Sequence, residues 1–286
     1  MPLCDMKRIL DHASQNQYAV GAFNIVDVTF LQAIIETAES LNAPVILNIA
    51  QVHFPYLNLD LICNTARRMA VQSSIPVALN LDHGQDLNAV LKAIRLGFTS
   101  VMFDASGYNY DENVEKTRHC VELCHPLGIT VEGELGAVGG DSKGGLTSEA
   151  DPDLFTDPDR AADFVKKTEI DALAVAIGNS HGQYKGTPRL DFDRLSKIQK
   201  NANIPLVLHG GSGLSFSDFQ KAIRLGICKI NFYTGLSQRA LAGARSFLAR
   251  DQKKYHDYPE MIREIKAAVA QIVAEQIEMF KSHNQA

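Results

Sequence analysis

The sequence lacks the features that mark several classes of protein. Its 286 residues contain no tryptophan and only five cysteines, an odd number spread along the chain. Such cysteines do not form a disulfide framework and indicate a reducing, cytoplasmic compartment. Lys and Arg (28) do not outnumber Asp and Glu (33), which leaves no basic footprint for nucleic acid. No apolar run is long enough to span a bilayer, and residues 1–8 contain no signal-peptide core, so we expect no membrane association.

What the sequence does contain is a regular alternation of strand and helix patterns. Helical segments such as 86–97 and 217–226 end at a glycine, the usual helix stop. Eight such units without a linker predict an α/β fold, a single (β/α)8 TIM barrel over residues 1–286, with an open doubly wound sheet as the alternative. The apolar β-type runs are 18–23, 45–50, 76–81, 99–104, 129–134, 171–177, 204–208 and 227–231.

The segment from Pro259 onward is long and amphipathic. It predicts an additional C-terminal helix that packs on its own barrel or on a neighbouring subunit. A second segment, 138–153, is a long Gly-rich loop after the fifth strand, and loops of that length are usually lids or disordered connections.

Three histidines occupy the same kind of place in three segments. His83, His181 and His209 each follow a short apolar run and precede a glycine. Such runs are typical of buried parallel strands, so each imidazole should emerge at a carboxyl end. A single histidine in this position is more often an ordinary core or loop residue. Three histidines in the same sequence context are better explained by a shared function. Together they suit a catalytic zinc, which needs three protein ligands and one open position.

Acidic residues also fall at the predicted strand ends, where TIM barrels carry their active sites. Asp82 follows strand three, Asp104 follows strand four, and Glu132 and Glu134 end strand five. Each alone is compatible with a helix cap or an ion pair. Glu134 is equally compatible with orienting a histidine that binds metal.

A phosphate site is predicted at the loops after strands seven and eight. The segment His-Gly-Gly-Ser-Gly (209–213) precedes a helix that begins near Ser215, so its backbone N–H groups form a cradle at a helix N-terminus. Asn231 and Thr234 add polar groups on the second loop. Glycines alone are weak evidence, but TIM barrels frequently bind phosphate at these two loops.

Six motifs, in this order, resemble the class II, zinc-dependent ketose-bisphosphate aldolases, whose best-known members act on fructose and tagatose bisphosphate. The resemblance runs from about Met6 to Phe280. The motifs are Leu-Asp-His-Gly (81–84), Asp-Ala-Ser (104–106), Glu-Gly-Glu-Leu-Gly (132–136), Gly-Asn-Ser-His-Gly-Gln-Tyr-Lys (178–185), Leu-His-Gly-Gly-Ser-Gly (208–213) and Lys-Ile-Asn-Phe-Tyr-Thr (229–234).

The resemblance implies a lyase of carbohydrate metabolism that reversibly cleaves a ketose phosphate into dihydroxyacetone phosphate and an aldehyde. It implies Zn²⁺, a monovalent cation (Na⁺ or K⁺), and a homodimer or homotetramer. Asp82 corresponds to the general acid/base at the C4 oxygen, Glu134 to a further metal contact, and Asp104 to a second metal position. The zinc ligands implied are His83, His181 and His209. The implied dihydroxyacetone-phosphate pocket is Gly182, Lys185, Gly210, Gly211, Ser212, Asn231 and Thr234.

The sequence departs from the family on the aldehyde side. Residues 255–261 lack an arginine that helps bind the second phosphate, and the loop after strand five offers only Asp141 as a proton shuttle. Gln-Val-His-Phe-Pro-Tyr (51–56) replaces small Ser/Gly residues, where His53 is a polar contact or, more simply, a plain loop histidine. We therefore expect a ketose 1-phosphate whose second phosphate is less strictly required, with fructose or tagatose 1,6-bisphosphate as the default.

Four alternatives remain open at this point. A lysine-type aldolase needs a buried Schiff-base lysine, for which Lys229 is the candidate. A zinc hydrolase on the same barrel often shows His-x-His after strand one, where this chain has Gly-Ala-Phe-Asn (21–24). A non-catalytic family member that supports a partner subunit is the third. The fourth is a separate metal cluster at Cys120 and Cys124, although a core-facing helix edge explains those cysteines better.

Overall fold

The computed structural model describes residues 2–140, 146–147, 151–184, 186, 188–250 and 257–286. Eight parallel strands pair in chain order and the first pairs with the last, so the sheet closes into a barrel. The predicted TIM barrel is confirmed, each predicted run overlaps one strand, and the open sheet is wrong. The strands are Val20–Asn24 (β1), Val45–Ala50 (β2), Val77–Gly84 (β3), Ser100–Phe103 (β4), Thr130–Leu135 (β5), Ala172–Val175 (β6), Leu206–Leu208 (β7) and Ile227–Phe232 (β8).

Helices surround the barrel, and most of them begin at a side-chain cap. Asp86 caps the helix that follows β3 by accepting from the N–H of Ala89, and Gly97 ends that helix with a left-handed φ of 78°. The predicted glycine stop is therefore confirmed there. The helices are Met6–Asn16 (α1), Val28–Ser40 (α2), Leu59–Gln72 (α3), Leu87–Leu96 (α4), Tyr110–Cys124 (α5), Pro158–Thr168 (α6), Phe192–Ala202 (α7), Phe216–Arg224 (α8), Thr234–Leu248 (α9) and Tyr258–Met279 (α10).

Helix α1, which the sequence analysis does not predict, closes the N-terminal end of the barrel. Its residues Met6, Ile9 and Leu10 are buried in one apolar cluster with side chains from the barrel strands. The N–H of Lys7 donates to the hydroxyl of Thr130 at the start of β5 over 3.0 Å. The carboxyl ends of the strands are therefore the end of the barrel that is left open for a site.

The C-terminal helix α10 packs on its own barrel, against α9 and α2. Val269, Val273 and Ile277 form its buried face. The sequence allowed packing on the chain's own barrel or on a neighbouring subunit, and the structure shows packing on the chain's own barrel. Across the described residues we find no helix with the length and hydropathy of a membrane span.

Parts of the long loop after β5 pair with the chain that follows β6. Gly139–Gly140 forms a two-residue parallel strand with Ser180–His181, and Leu146–Thr147 does so with Gln183–Tyr184. The loop therefore contacts the segment that carries His181.

Cys120 and Cys124 lie on the buried side of α5 with their Sγ atoms 4.0 Å apart. His119 is exposed, and His125 pairs with Asp171. The cysteines thus belong to the core, and no metal-binding cluster is found at this position in the described part of the chain.

Candidate active site

The three predicted histidines meet at the open end of the barrel. His83 is in β3, His181 follows β6, and His209 follows β7 directly. The ring centroid of His83 lies 4.7 Å from that of His209 and 4.9 Å from that of His181. Each ring offers one nitrogen, and these nitrogens all lie within 4.8 Å of one another. The arrangement can hold one metal ion between three strand ends.

An irregularity in β3 brings two consecutive side chains to the same cavity. Neighbouring residues in a regular strand point to opposite faces, yet both Asp82 and His83 line the cavity. The pairing of β3 with β4 shifts register between Leu81 and Gly84, and His83 has a left-handed φ of 47°. Bulges of this kind re-aim side chains, and left-handed non-glycine residues are concentrated at functional sites.

Buried carboxylates fix the orientation of two of the rings. The Nδ1 of His83 donates to Asp104 over 2.8 Å, and the Nε2 of His209 donates to Glu132 over 2.9 Å. The second oxygen of Glu132 accepts from the ammonium of Lys229 over 2.6 Å, and neither side chain of that pair is exposed. Such carboxylates set the tautomer and the angle of histidines that bind metal.

The ring nitrogens of His83 and His209 that do not bond to carboxylates face each other. The Nε2 of His83 lies 3.0 Å from the Nδ1 of His209. Burial lowers the pKa of His83, but the carboxylates of Asp82 and Asp104 outweigh it and raise the pKa to about 10, so His83 carries a proton between the rings. Burial and that charge lower the pKa of His181 to about 4, which leaves it neutral. A metal ion fits this donor set because it would replace the shared proton.

Glu134 and Asp104 form a second group around His83. Their ligand atoms also lie within 4.8 Å of one another. The Oε1 of Glu134 accepts from the N–H of Val138, whereas its buried Oε2 has no partner. Burial and the charge of Asp104 raise the pKa of Glu134 to about 8. A buried carboxyl oxygen that has no partner among the described residues and lies beside His83 and Asp104 is a further place for a cation to bind.

Asp82 is held as a carboxylate by two amides. Its Oδ2 accepts from Asn24 over 2.9 Å and its Oδ1 accepts from Asn231 over 2.8 Å. Burial alone raises the pKa of Asp82, but the positive charge on neighbouring groups, above all His83, and the Asn24 bond together lower it. The group is therefore an ionised base, fixed in position at the cavity wall.

Lys229 is not placed for Schiff-base chemistry. Its side chain is fully buried in an ion pair with Glu132. It is also missing from the described residues that line the cavity. A substrate carbonyl at the cavity would not reach its nitrogen.

The predicted phosphate pocket lies on one side of the same cavity. Gly210 has a φ of 66°, and a Cβ there would collide with the carbonyl oxygen of Ser180, so the loop needs glycine. Lys185, the remaining predicted member, lies outside the described residues, as does Asp141. The predicted members that line the cavity are Gly182, Gly210, Gly211, Ser212, Asn231 and Thr234.

The helix N-terminus at this pocket differs from the predicted one. Helix α8 begins after Ser215, and Ser215 and Asp218 form a capping box that uses its first amide groups and adds a negative charge. Helix α9 instead begins at Thr234 without a side-chain cap, and the N–H of Gly235 donates to the hydroxyl of Ser212 over 3.2 Å. In the described part of the chain, the helix start beside the glycine loop whose N-cap residue makes no side-chain cap bond is therefore that of α9.

Three residues that support the site are missed by the sequence analysis. Asn24 holds the base, as described above. The amide of Asn179 donates to the carbonyl of His209 over 3.1 Å. The hydroxyl of Tyr184 accepts from the N–H of Ser180 and donates to the carbonyl of Gly210, each over 2.9 Å. Asn179 and Tyr184 thus join the loops after β6 and β7. Both lie inside the 178–185 motif, and this motif is the sequence feature that could have indicated their role.

Comparison with known proteins places this site in a family. The sequence model of the family described as "Fructose-bisphosphate aldolase class-II" matches residues 4–285. A fructose-bisphosphate aldolase of Staphylococcus aureus is 39% identical over 291 aligned positions that cover 100% of both chains.

Solved structures agree with the sequence matches. The YdjI aldolase from Escherichia coli K12 superposes with a TM-score of 0.89 at 34% identity and covers 99% of both chains. A putative fructose-1,6-biphosphate aldolase from Coccidioides immitis superposes with a TM-score of 0.87 at 27% identity and covers 97% of this chain and 96% of its own.

These matches exclude the lysine-type aldolase and the zinc hydrolase, because both alternatives belong to other families. The family match spans nearly the whole chain and includes all the strands and helices that build the site. This chain belongs to the class II fructose-bisphosphate aldolase family and is an aldolase, a lyase that breaks and forms a carbon–carbon bond.

Proposed function

We propose that this chain is a zinc-dependent aldolase that reversibly cleaves a ketose 1-phosphate into dihydroxyacetone phosphate and an aldehyde. Fructose or tagatose 1,6-bisphosphate is the default substrate, since the similar Staphylococcus aureus protein is a fructose-bisphosphate aldolase. The single observation that carries the proposal is that three imidazoles meet beside a cavity lined by an ionised aspartate and a glycine loop. Residues 1–286 form one catalytic domain in this proposal.

The proposed zinc ligands are His83, His181 and His209. Three imidazoles leave one coordination position open for the substrate. Glu134 is an additional contact and Asp104 a position for a second metal, in line with the second group of donors around His83. When bound, zinc acts as a Lewis acid that stabilises the negative charge developing on the substrate oxygens. A monovalent cation, Na⁺ or K⁺, is proposed on the family resemblance alone.

Asp82 is the proposed base at the C4 oxygen. Cleavage of the C3–C4 bond requires the C4 hydroxyl to lose its proton, and condensation requires the same proton to return. A carboxylate that is ionised and held by Asn24 and Asn231 accepts a proton without first reorienting.

The phosphate of dihydroxyacetone phosphate binds, in this proposal, between the 209–213 loop and the start of α9. Uncapped N–H groups and the positive end of a helix dipole favour an anion there. Ser212 and Thr234 offer hydroxyl groups, and Lys185 adds a positive charge by the family resemblance. A homodimer or homotetramer is proposed on the same resemblance.

Loss of one histidine should remove both the metal and the activity. His181→Ala should lose bound zinc, measured by elemental analysis, and lose aldol cleavage, measured as release of dihydroxyacetone phosphate. The barrel should stay folded by circular dichroism, because His181 follows β6 instead of forming part of the barrel wall. His119→Ala, at an exposed histidine, is the matched control. Full activity in metal-free His181→Ala would contradict the proposal.

Loss of the base should separate metal binding from catalysis. Asp82→Ala should keep zinc but lower kcat by roughly 10²–10⁴-fold, the usual size of an acid–base contribution. Asp82→Asn, which keeps the shape and removes the base, should lose a similar factor. An unchanged kcat in either variant would show that another group carries the proton.

The buried pair Lys229–Glu132 should act on zinc affinity through His209. Glu132→Gln and Lys229→Met should each weaken zinc binding by roughly 10–100-fold, because changes behind a ligand have effects of this size. Competition with a chromophoric chelator measures this without reference to activity, and Lys221→Met, at an exposed lysine, is the control.

The double variant Glu132→Gln/Lys229→Met guards against a folding defect, because it leaves no unpaired charge buried. Wild-type zinc affinity in all three variants would show that the pair only stabilises the barrel.

A further inference from the structure

The acceptor side of the cavity is built differently from the phosphate side. Besides the glycine loop, the wall includes Ala50, Val52 and His53, which come from the end of β2 and the turn after it. The register of β2 and β3 places Ala50 directly beside Asp82. If Asp82 acts at C4, the carbons beyond C4 face this wall.

His53 is held firmly in that wall. It lies in the short 3₁₀ helix Gln51–Tyr56. The side chain of Gln51 fixes the start of this helix by donating to Asp86 over 2.8 Å and accepting from the N–H of Gln85 over 2.7 Å. The His53 ring packs on the ring of Tyr233 with centroids 4.6 Å apart. Tyr233 also lines the cavity, so the two rings form one continuous surface.

One polar atom of this ring has no hydrogen-bond partner among the described residues. His53 is only 8% exposed, and its Nδ1 is buried without a hydrogen-bond partner. A buried polar atom without a partner costs free energy, so native structures rarely leave one unless a ligand or water satisfies it. The orphan nitrogen therefore points to a ligand contact.

The charge of the wall indicates what kind of group it contacts. Burial lowers the pKa of His53 despite the charge of Asp82, so the ring is neutral. The described residues lining the cavity include no lysine or arginine. A dianionic phosphate close to Asp82 would lack a countercharge from these residues, whereas a hydroxyl can both donate to and accept from a neutral imidazole.

We propose that His53, packed on Tyr233, is a specificity-determining residue that hydrogen-bonds a hydroxyl group on the uncharged aldehyde half of the substrate. This inference rests on the proposed function, since it assumes that dihydroxyacetone phosphate occupies the part of the cavity formed by the glycine loop. It assigns the aldehyde to the class of unphosphorylated polyhydroxy aldehydes.

The test compares aldehydes in the condensation direction. The kcat/KM for addition of dihydroxyacetone phosphate is measured with glyceraldehyde, with propionaldehyde, which lacks its hydroxyl groups, and with glyceraldehyde 3-phosphate. The variants are His53→Phe, His53→Gln and the control Tyr56→Phe, at an exposed position of the same short helix. Exchange of the hydroxymethyl protons of dihydroxyacetone phosphate with deuterated solvent is followed in parallel, since it reports the half-reaction that needs no aldehyde.

His53→Phe should lower the preference for glyceraldehyde over propionaldehyde by roughly 10-fold, the effect of one lost hydrogen bond. His53→Gln, which retains donor and acceptor atoms, should recover part of that preference, and Tyr56→Phe should not change it. The loss should fall mainly on KM for glyceraldehyde. A mere packing defect would instead lower the rates with both aldehydes equally.

The inference is overturned if the preference does not change in His53→Phe and His53→Gln, or if the wild type accepts only glyceraldehyde 3-phosphate. In either case, wild-type proton exchange would leave the proposed function standing. Absence of that exchange in the zinc-loaded wild type would refute the proposed function itself.

Discussion

The site depends on a chain of hydrogen bonds that crosses the open end of the barrel from Lys229 through Glu132, His209 and His83 to Asp104. These bonds join five of the eight strands or the turns that follow them directly. Buried charges are costly unless opposite charges and hydrogen bonds satisfy them. Here Lys229 pairs with Glu132 and His83 pairs with Asp104, and the neutral His209 ring joins the two pairs. The same bonds decide which nitrogens of His83 and His209 face each other. The proposed metal binding and the ionised state of the nearby base thus both depend on this arrangement.

The fold separates the rigid part of the site from the parts that recognise the substrate. Asp82 and His83 lie in barrel strand β3 and His209 follows β7 directly, where packing around the barrel limits their movement. The loops after β7 and β8 and the start of α9 form the proposed phosphate side. The turn after β2, with His53, lines the same cavity next to the strand that carries Asp82. Closure of the far end by α1 leaves a single open face for all of these elements.

The sequence predicts the barrel and the meeting of His83, His181 and His209, because apolar strand runs and their ends repeat along the chain. It does not predict the bulge that turns Asp82 and His83 to one side, since register shifts arise from pairing between strands. Asn24 and Asn231 reach Asp82 across 58 and 149 residues, and no local pattern reports such contacts. The sequence could have predicted that α9, not α8, lies at the proposed phosphate side. Ser215 and Asp218 have the spacing of a capping box, which occupies the first amide groups of α8.

The central claim is that one zinc ion lies among three imidazoles whose orientation the carboxylates fix. Anomalous diffraction on either side of the zinc absorption edge, from crystals grown with zinc, tests it directly. The account predicts one strong peak about 2.0–2.1 Å from the Nε2 of His83, the Nδ1 of His209 and a ring nitrogen of His181. A peak held by other residues, or no peak in crystals of protein that still cleaves a ketose phosphate, would contradict it.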